Sequence, residues 1–105
     1  MMLVFENDTK EPVGQVRIEK QVHATGFVIG VSIAENSRNK GFASKMIHEA
    51  SDYFFSMFPS ERIYAYIKKD NTGSIKAFEK AGYSFFNELN IEGAESVSYT
   101  KMKNE

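Results

Sequence analysis

The sequence predicts a mixed α/β (α+β) domain, a sheet with helices packed on it. Three observations carry this prediction. Period-two stretches rich in β-branched and aromatic residues recur along the chain. Two stretches with apolar residues at helical spacing lie between them. One of those helices separates the third strand from the fourth, which makes that pair parallel with a right-handed crossover. At 105 residues the chain fits a single domain spanning residues 1–105, with one modest core.

The elements follow in order. Leu3 to Phe5 reads as a short strand, ended by the polar run Glu6 to Glu11 with its turn formers. Pro12 to Glu19 alternates, with Val16 and Ile18 opposed to Gln15 and Arg17, so a hairpin around Asp8 joins these two strands. Gln21 to Thr25, which contains His23, is polar enough for a second turn. Phe27 to Ile33 is strongly strand-like. Its consecutive Val28 and Ile29, followed by Val31 and Ile33, predict burial on both faces. Gly30 inside it allows a bulge or a close backbone approach.

Glu35 to Gly41 breaks the pattern with Asn36, Ser37 and Asn39. Ala43, Met46, Ile47, Ala50, Tyr53, Phe54, Met57 and Phe58 then recur at helical spacing, with Lys45, His48, Glu49 and Asp52 opposite, until Pro59 stops the helix. The cluster Met46, Phe54, Met57 and Phe58 reads as core. Arg62 to Lys68 alternates again. Asp70, Asn71 or Thr72 can cap a second helix, in which Ile75 and Phe78 share a face and which ends at Gly82. Glu79 and Lys80 read as its solvated side. Tyr83 to Leu89 and Ser96 to Met102 close the sheet around a turn at Gly93.

Composition narrows the function. Apolar residues make up 42% and charged residues 26%, and 13 Lys plus Arg balance 14 Asp plus Glu for a formal charge of −1. That balance argues against a general nucleic-acid binder. With no cysteine, the chain has neither a disulfide nor a cysteine nucleophile. His23 and His48 are too few and too far apart for a zinc site, so no metal is expected. No run approaches the ~20 apolar residues of a membrane span. Met1 to Phe5 runs straight into Glu6, Asn7 and Asp8, unlike a signal peptide. The expected location is therefore the cytoplasm.

Val31 to Ala43 is the stretch that carries chemistry. A strand leads into a polar loop with Arg38 and Lys40, then Gly41, then the long helix. Free amide hydrogens at a helix N-terminus point outward at the positive end of the dipole, and two cations stand beside them. The combination is suited to a phosphate or pyrophosphate. Gly41 and Ala43 are small enough to let an anion touch the backbone, and Ser44 adds a hydroxyl. The bland alternative is that Arg38 and Lys40 are solvated loop charges. The segment matches neither of the standard glycine-rich nucleotide loops.

Arg38-Asn-Lys-Gly-Phe-Ala43 resembles the Arg/Gln-x-x-Gly-x-Gly/Ala signature of the GCN5-related N-acetyltransferase (GNAT) family. Lys69 to Tyr83, with its Asn-Thr-Gly-Ser-Ile and Phe-Glu-Lys-Ala-Gly-Tyr segments, resembles that family's second conserved stretch, one helix and one strand further on. The resemblance covers Pro12 to the C-terminus. It implies a mostly antiparallel mixed sheet with a central splayed parallel pair and two main packed helices. It also implies acetyl-CoA as co-substrate and transfer of its acetyl group to an amine. By position, the backbone of Val31, Ser32 and Ile33 would pair with the pantetheine arm, helped to splay by Gly30. Arg38, Asn39, Lys40, Gly41, Phe42, Ala43 and Ser44 would hold the pyrophosphate, and Asn71 would contact the cofactor or fix the loop near the thiol. A helix-capping role for Asn71 is equally good physics. The amide of Ile33 is the oxyanion donor by analogy.

An amine arrives mostly as an ammonium and loses a proton before attack, and the departing thiolate gains one. Without a cysteine, direct attack in a ternary complex is the simpler scheme. Many relatives carry a tyrosine where this chain has Phe78, so the proton donor passes to another group or to solvent; Tyr64, Tyr66 and Tyr83 are the hydroxyls available. Glu35, which follows the cofactor strand, is the candidate base through water. Tyr66 stands where some relatives carry a catalytic glutamate. Val13 to Ile18 resembles a strand of amino-sugar acetyltransferases, which points the acceptor toward an amino sugar, with protein N-termini and small polyamines as alternatives. The family's opening strand and helices, which help wall the acceptor site, have no counterpart here. The chain is then a domain cut from a longer polypeptide, a short member, or a protomer of a homodimer walled by its partner. Two competing readings stand beside the enzyme: a non-catalytic CoA-binding or interaction domain of the same fold, and a generic phosphate-binding α/β domain.

Overall fold

Asn7 organises the first turn. Its Oδ1 accepts from the amides of Thr9 and Glu11, at 2.9 and 3.0 Å, an Asx arrangement that reverses the chain. The strands on either side, β1 (Met2–Glu6) and β2 (Pro12–Lys20), pair antiparallel as expected. The computed structural model describes residues 1–21, 25–38 and 41–105. The turn expected at Gln21 to Thr25, including His23, falls largely outside them.

β3 (Phe27–Ile33) pairs antiparallel with β2 over seven register pairs, from Lys20↔Phe27 to Gly14↔Ile33. A short 3-10 turn, Glu35–Ser37, follows. Next come α1 (Phe42–Met57), β4 (Ile63–Lys68), α2 (Thr72–Lys80), β5 (Ser84–Ile91) and β6 (Ala94–Lys101). The six strands form one sheet in the order β1-β2-β3-β4-β6-β5, and β3–β4 is its parallel pair. The mixed, mostly antiparallel sheet with two packed helices is therefore the architecture predicted.

Both helices lie on one face. α1 buries Met46, Ile47, Ala50, Ser51, Phe54 and Phe55, which recur at helical spacing. Phe54 and Phe58 close on Phe27 of β3, at ring distances of 4.8 and 5.7 Å. Beneath them lie Val16, Ile18, Ile29, Ile63, Ala65 and Ile67. Each such apolar side chain taken fully out of water contributes about 1.5–3 kcal/mol. α2 is tied down by Phe78, whose ring meets Tyr83 at 5.1 Å, and by Glu79, whose carboxylate accepts the Tyr99 hydroxyl at 3.0 Å. Glu79 is thus an anchor as well as a solvated residue.

The other face carries neither helix. The expected two-sided burial of β3 is therefore corrected: Ile29 is buried, but Val28 on the opposite face is half-buried and Gly30 and Ser32 are exposed. Adjacent apolar residues in one strand do not reveal whether a layer covers the second face. Gly30 makes neither a bulge nor a close approach; the register runs through it unbroken, and a Cβ there would meet nothing within 4 Å among the described residues. Met57 and Phe58 are also more exposed than expected, at 45% and 42%. Phe85 and Phe86 point to opposite faces, Phe85 against Tyr99 and Phe86 against Tyr64, and a bulge leaves Phe86 without a register partner on β6.

Candidate active site

The parallel pair at the centre of the sheet is nearly unzipped. β3 and β4 are in register only at Phe27↔Ile63 and Val28↔Tyr64. The amide of Phe27 bonds the carbonyl of Arg62 at 2.9 Å, whereas that of Ala34 bonds Val13 of β2 at 2.7 Å. Successive residues of a strand address opposite neighbours. The N–H and C=O groups of Val31 and Ile33 therefore face the split, and those of Ser32 face β2. Of the three residues expected to offer backbone to an extended ligand, two present it to the gap. Ser32 contributes its side to the cavity wall instead.

A cavity of about 540 Å³ occupies the split on the helix face. Val31, Ser32 and Ile33 form one wall, and Arg38, Ala43 and Ile47 form the second. The Arg38 Nε donates to the carbonyl of Ile33 at 3.4 Å, so the guanidinium reaches the strand edge. α1 opens on Gly41, which takes φ +77° and has no side chain with which to cap the helix; its first turn holds no acidic residue. The amides of Phe42, Ala43 and Ser44 thus lack an intrahelical partner, at the positive end of a 16-residue helix. The Ser44 hydroxyl approaches the Gly41 carbonyl at 3.5 Å. Phe42 is half-buried against the core. Asn39 and Lys40, expected here, lie outside the described residues.

The third wall is α2. The Asn71 Oδ1 accepts from the Ser74 amide at 3.2 Å, so Asn71 is the N-cap of α2, and the same residue lines the cavity. Its two expected roles coincide in place. Gly73, Ser74, Ala77 and Phe78 complete the wall. Gly73, Ser74 and Ala77, with Ile47, were not singled out from sequence, whereas Phe78 was, as the residue in place of the relatives' tyrosine. The signal available was the spacing of Ser74, Ala77 and Phe78 on one helical face, opposite Ala43 and Ile47 on the other helix. Phe78 both packs in the core and faces the cavity.

The groups considered for proton movement are dispersed. Glu35 is exposed in the 3-10 turn just beyond β3. Tyr66 is 44% exposed on the helix-free face of β4 and lines a separate cavity with Lys68 and Ile91. Tyr64 is stacked edge-on against Phe86. The Tyr83 hydroxyl is buried against that of Ser51 at 2.7 Å, away from the split, and burial pushes its pKa above the ordinary phenol value. Burial, together with the Glu79 carboxylate, does the same for Tyr99. His48 pairs with Asp52 at 3.2 Å on the exposed side of α1, as expected of a surface residue.

One cavity therefore brings an unpaired strand edge and a cation beside a helix N-terminus that no side chain among the described residues caps. An unpaired strand edge can add hydrogen bonds to an extended chain, and a helix N-terminus favours an anion. Among the described residues no helix is long and apolar enough to cross a membrane.

Comparison with known proteins agrees. Residues 1–84 match the model of the acetyltransferase (GNAT) domain. A spermidine N(1)-acetyltransferase of Vibrio cholerae serotype O1 is 28% identical over 81 residues, which is 76% of this chain and 47% of that protein. A chimera of the Vibrio cholerae spermidine N-acetyltransferase and hSSAT superposes with a TM-score of 0.84 at 23% identity, covering 98% of this chain and 66% of the other. A GNAT-family acetyltransferase from Bacillus anthracis gives 0.81 at 22% identity, covering 93% and 63%. The chain thus spans about half the length of the curated relative and about two-thirds of the solved ones. With the motif pair, the splayed strands and the family match over most of its length, the chain belongs to the GNAT acetyltransferase domain family.

Proposed function

We propose that this domain binds acetyl-CoA in the split between β3 and β4 and passes the acetyl group directly to a primary amine in a ternary complex. The observation that supports this best is the unpaired edge at Val31 and Ile33, which runs toward the uncapped start of α1 within a single cavity. The pantetheine amides would continue the sheet along β3. The pyrophosphate would meet the amides of Phe42, Ala43 and Ser44, with Arg38 and the loop residues Asn39, Lys40 and Gly41 around it. The amine nitrogen attacks the thioester carbonyl; the C–N bond forms and the C–S bond breaks. Two protons leave the nitrogen as the ammonium becomes an amide: one before attack, through water to Glu35 in this scheme, and one as the C–S bond breaks, balanced by the proton that the sulfur gains. The Ile33 amide, directed into the split, would stabilise the oxyanion. Tyr66, the tyrosine that the sequence offered on β4, lines a separate cavity on the opposite face, so solvent is the proton donor we carry forward.

For the acceptor we place an aliphatic polyamine first, because the curated relative is named for spermidine. The amino sugar expected from Val13 to Ile18 is the competing arm. The test is CoA binding by calorimetry together with thiol release from acetyl-CoA across spermidine, glucosamine and a peptide N-terminus. Gly41→Trp should abolish CoA binding in a folded protein, and Arg38→Ala should weaken it more modestly because backbone donors remain. Undiminished affinity in both variants refutes the site. Trapping of an acetylated enzyme refutes direct transfer.

A second reading is favoured by Phe78, which faces the cavity and has no proton to give: a CoA-binding domain without turnover. CoA binding with no thiol release on any amine supports it. An equal thermal shift with ATP and with CoA would instead support a generic phosphate-binding domain.

A further inference from the structure

The departing sulfur needs a proton, and the tyrosines are placed elsewhere. Tyr66 opens on another cavity, Tyr64 stacks on Phe86, and the Tyr83 hydroxyl is bonded to that of Ser51. Among the described residues that line the larger cavity, the side chains with an O–H or N–H are Ser32, Arg38, Asn71 and Ser74. Ser32 stands between Val31 and Ile33 in an alternating strand, so its side chain turns to the helix-free face, where it is exposed. Arg38 lies at the anion end, with its Nε on the Ile33 carbonyl, and a guanidinium does not give up its proton. Asn71 caps α2 through its Oδ1, and its carboxamide is no acid.

Ser74 is left. It is half-buried in the α2 wall. Its amide is held by the Asn71 Oδ1 at 3.2 Å, whereas its hydroxyl has no partner among the described residues and stays open to the cavity. The residue sits in the first turn of α2, which holds no acidic side chain. The positive end of a helix favours a developing anion there. Ala77 and Phe78, three and four residues on, share the same face and give the hydroxyl an apolar surround. A hydrogen bond made in such surroundings is stronger than one made in water. Arg38 and the free amides of α1 stand on the other side of the cavity. A ligand with its diphosphate at that end would bring its far end to α2.

We infer that the Ser74 hydroxyl donates to the departing sulfur and relays a proton to it from solvent. The inference rests on the reading that the split between β3 and β4 holds acetyl-CoA, and it makes Ser74 a catalytic residue. As the C–S bond breaks, the proton on Oγ passes to the sulfur and a water molecule returns one to Oγ. The second proton lost by the nitrogen replaces the one drawn from solvent, so the step closes without a further reactant. A serine hydroxyl is too weak an acid to stay deprotonated, which is why the relay runs through water.

Ser74→Ala tests this, because it keeps both the amide that Asn71 caps and a good helix former. In thiol release from acetyl-CoA with spermidine, kcat should fall about tenfold or more, at or above the low end for a lost acid. CoA affinity by calorimetry should stay as in the parent. Ser74→Thr, which keeps a hydroxyl, should retain most of the rate. A second readout needs no acceptor: the thiolate absorbance of bound CoA at mildly alkaline pH. A hydrogen bond donated to the charged form favours it, so Ser74→Ala should lower the bound thiolate fraction about twofold or more. Full kcat in Ser74→Ala, or a loss expressed only as weaker CoA binding, overturns the inference and leaves the cofactor site standing. An unchanged thiolate fraction, or a loss in Ser74→Thr as deep as in Ser74→Ala, overturns it as well. CoA that does not bind the parent protein refutes the underlying reading, and this step falls with it. Where CoA binds and no amine turns over, the thiolate fraction decides.

Discussion

The hydroxyls of Ser51 and Tyr83 meet at 2.7 Å inside the core, 32 residues apart in the chain. Each satisfies the other, so the middle of α1 is tied to the residue that leads into β5. Losing one partner strands the other in an apolar site, whereas losing both does not. Tyr83→Phe and Ser51→Ala should each cost about 1–3 kcal/mol. The double variant should cost clearly less than their sum. Urea unfolding of the four proteins in the cycle checks this.

The same tyrosine gives the fold an alkaline limit. Burial raises the Tyr83 pKa from its ordinary 10.0, and the Ser51 bond offsets this only in part. Burial, then the bond and charge of Glu79, raise Tyr99 as well. Below pH 10 both states hold these protons and the terms are level. Above it the unfolded chain releases them while the folded chain keeps them, so stability falls as pH rises. Unfolding midpoints from pH 8 to 11 should show that decline, and Tyr83→Phe should make it shallower.

Two glycines in neighbouring strands should respond with opposite signs. A Cβ on Gly14 would collide with the Ser32 carbonyl oxygen and stand 2.8 Å from the Met46 methyl. Gly14→Ala therefore forces β2 away from β3 and should cost about 1–3 kcal/mol, the usual range for overpacking. Gly30 has open space around it and no left-handed backbone. Gly30→Ala should gain about 0.5–1 kcal/mol by restricting the unfolded chain. Thermal melts of both variants decide the signs.

Asn71 joins stability to the site. Asn71→Ala removes the bond to the Ser74 amide and should cost about 0.5–2 kcal/mol, the range for losing an N-cap. Because Gly73 and Ser74 wall the larger cavity, the proposed CoA affinity should fall with it. Asn71→Asp, which keeps the capping oxygen, should restore the stability. Parallel unfolding and calorimetry separate the two effects.

Much of this architecture is legible in the residues themselves. Helical spacing with Pro59 behind it fixed α1 to within a residue, and Asn71 and Gly82 bracketed α2. What escaped depends on neighbours distant in sequence. The run Val28-Ile29 looked two-sided because a strand does not reveal whether its second face is covered. The bulge at Phe86 follows from how β5 meets β6, and a pair of phenylalanines reads equally well without it. Arg38 and Ala43, which line the larger cavity, were picked out through the motif, whereas Ile47, Ser74 and Ala77 were missed. They look like ordinary helix residues until the distance between α1 and α2 is known.

The brief contact between β3 and β4 has a mechanical consequence. Two leaves of three strands each are stitched by a seam of two register pairs, Phe27↔Ile63 and Val28↔Tyr64, and the rings of Phe54 and Phe58 cover Phe27 at that seam. Whatever lies along the open margin of Val31 and Ile33 would supply the missing stitches and stiffen the whole molecule.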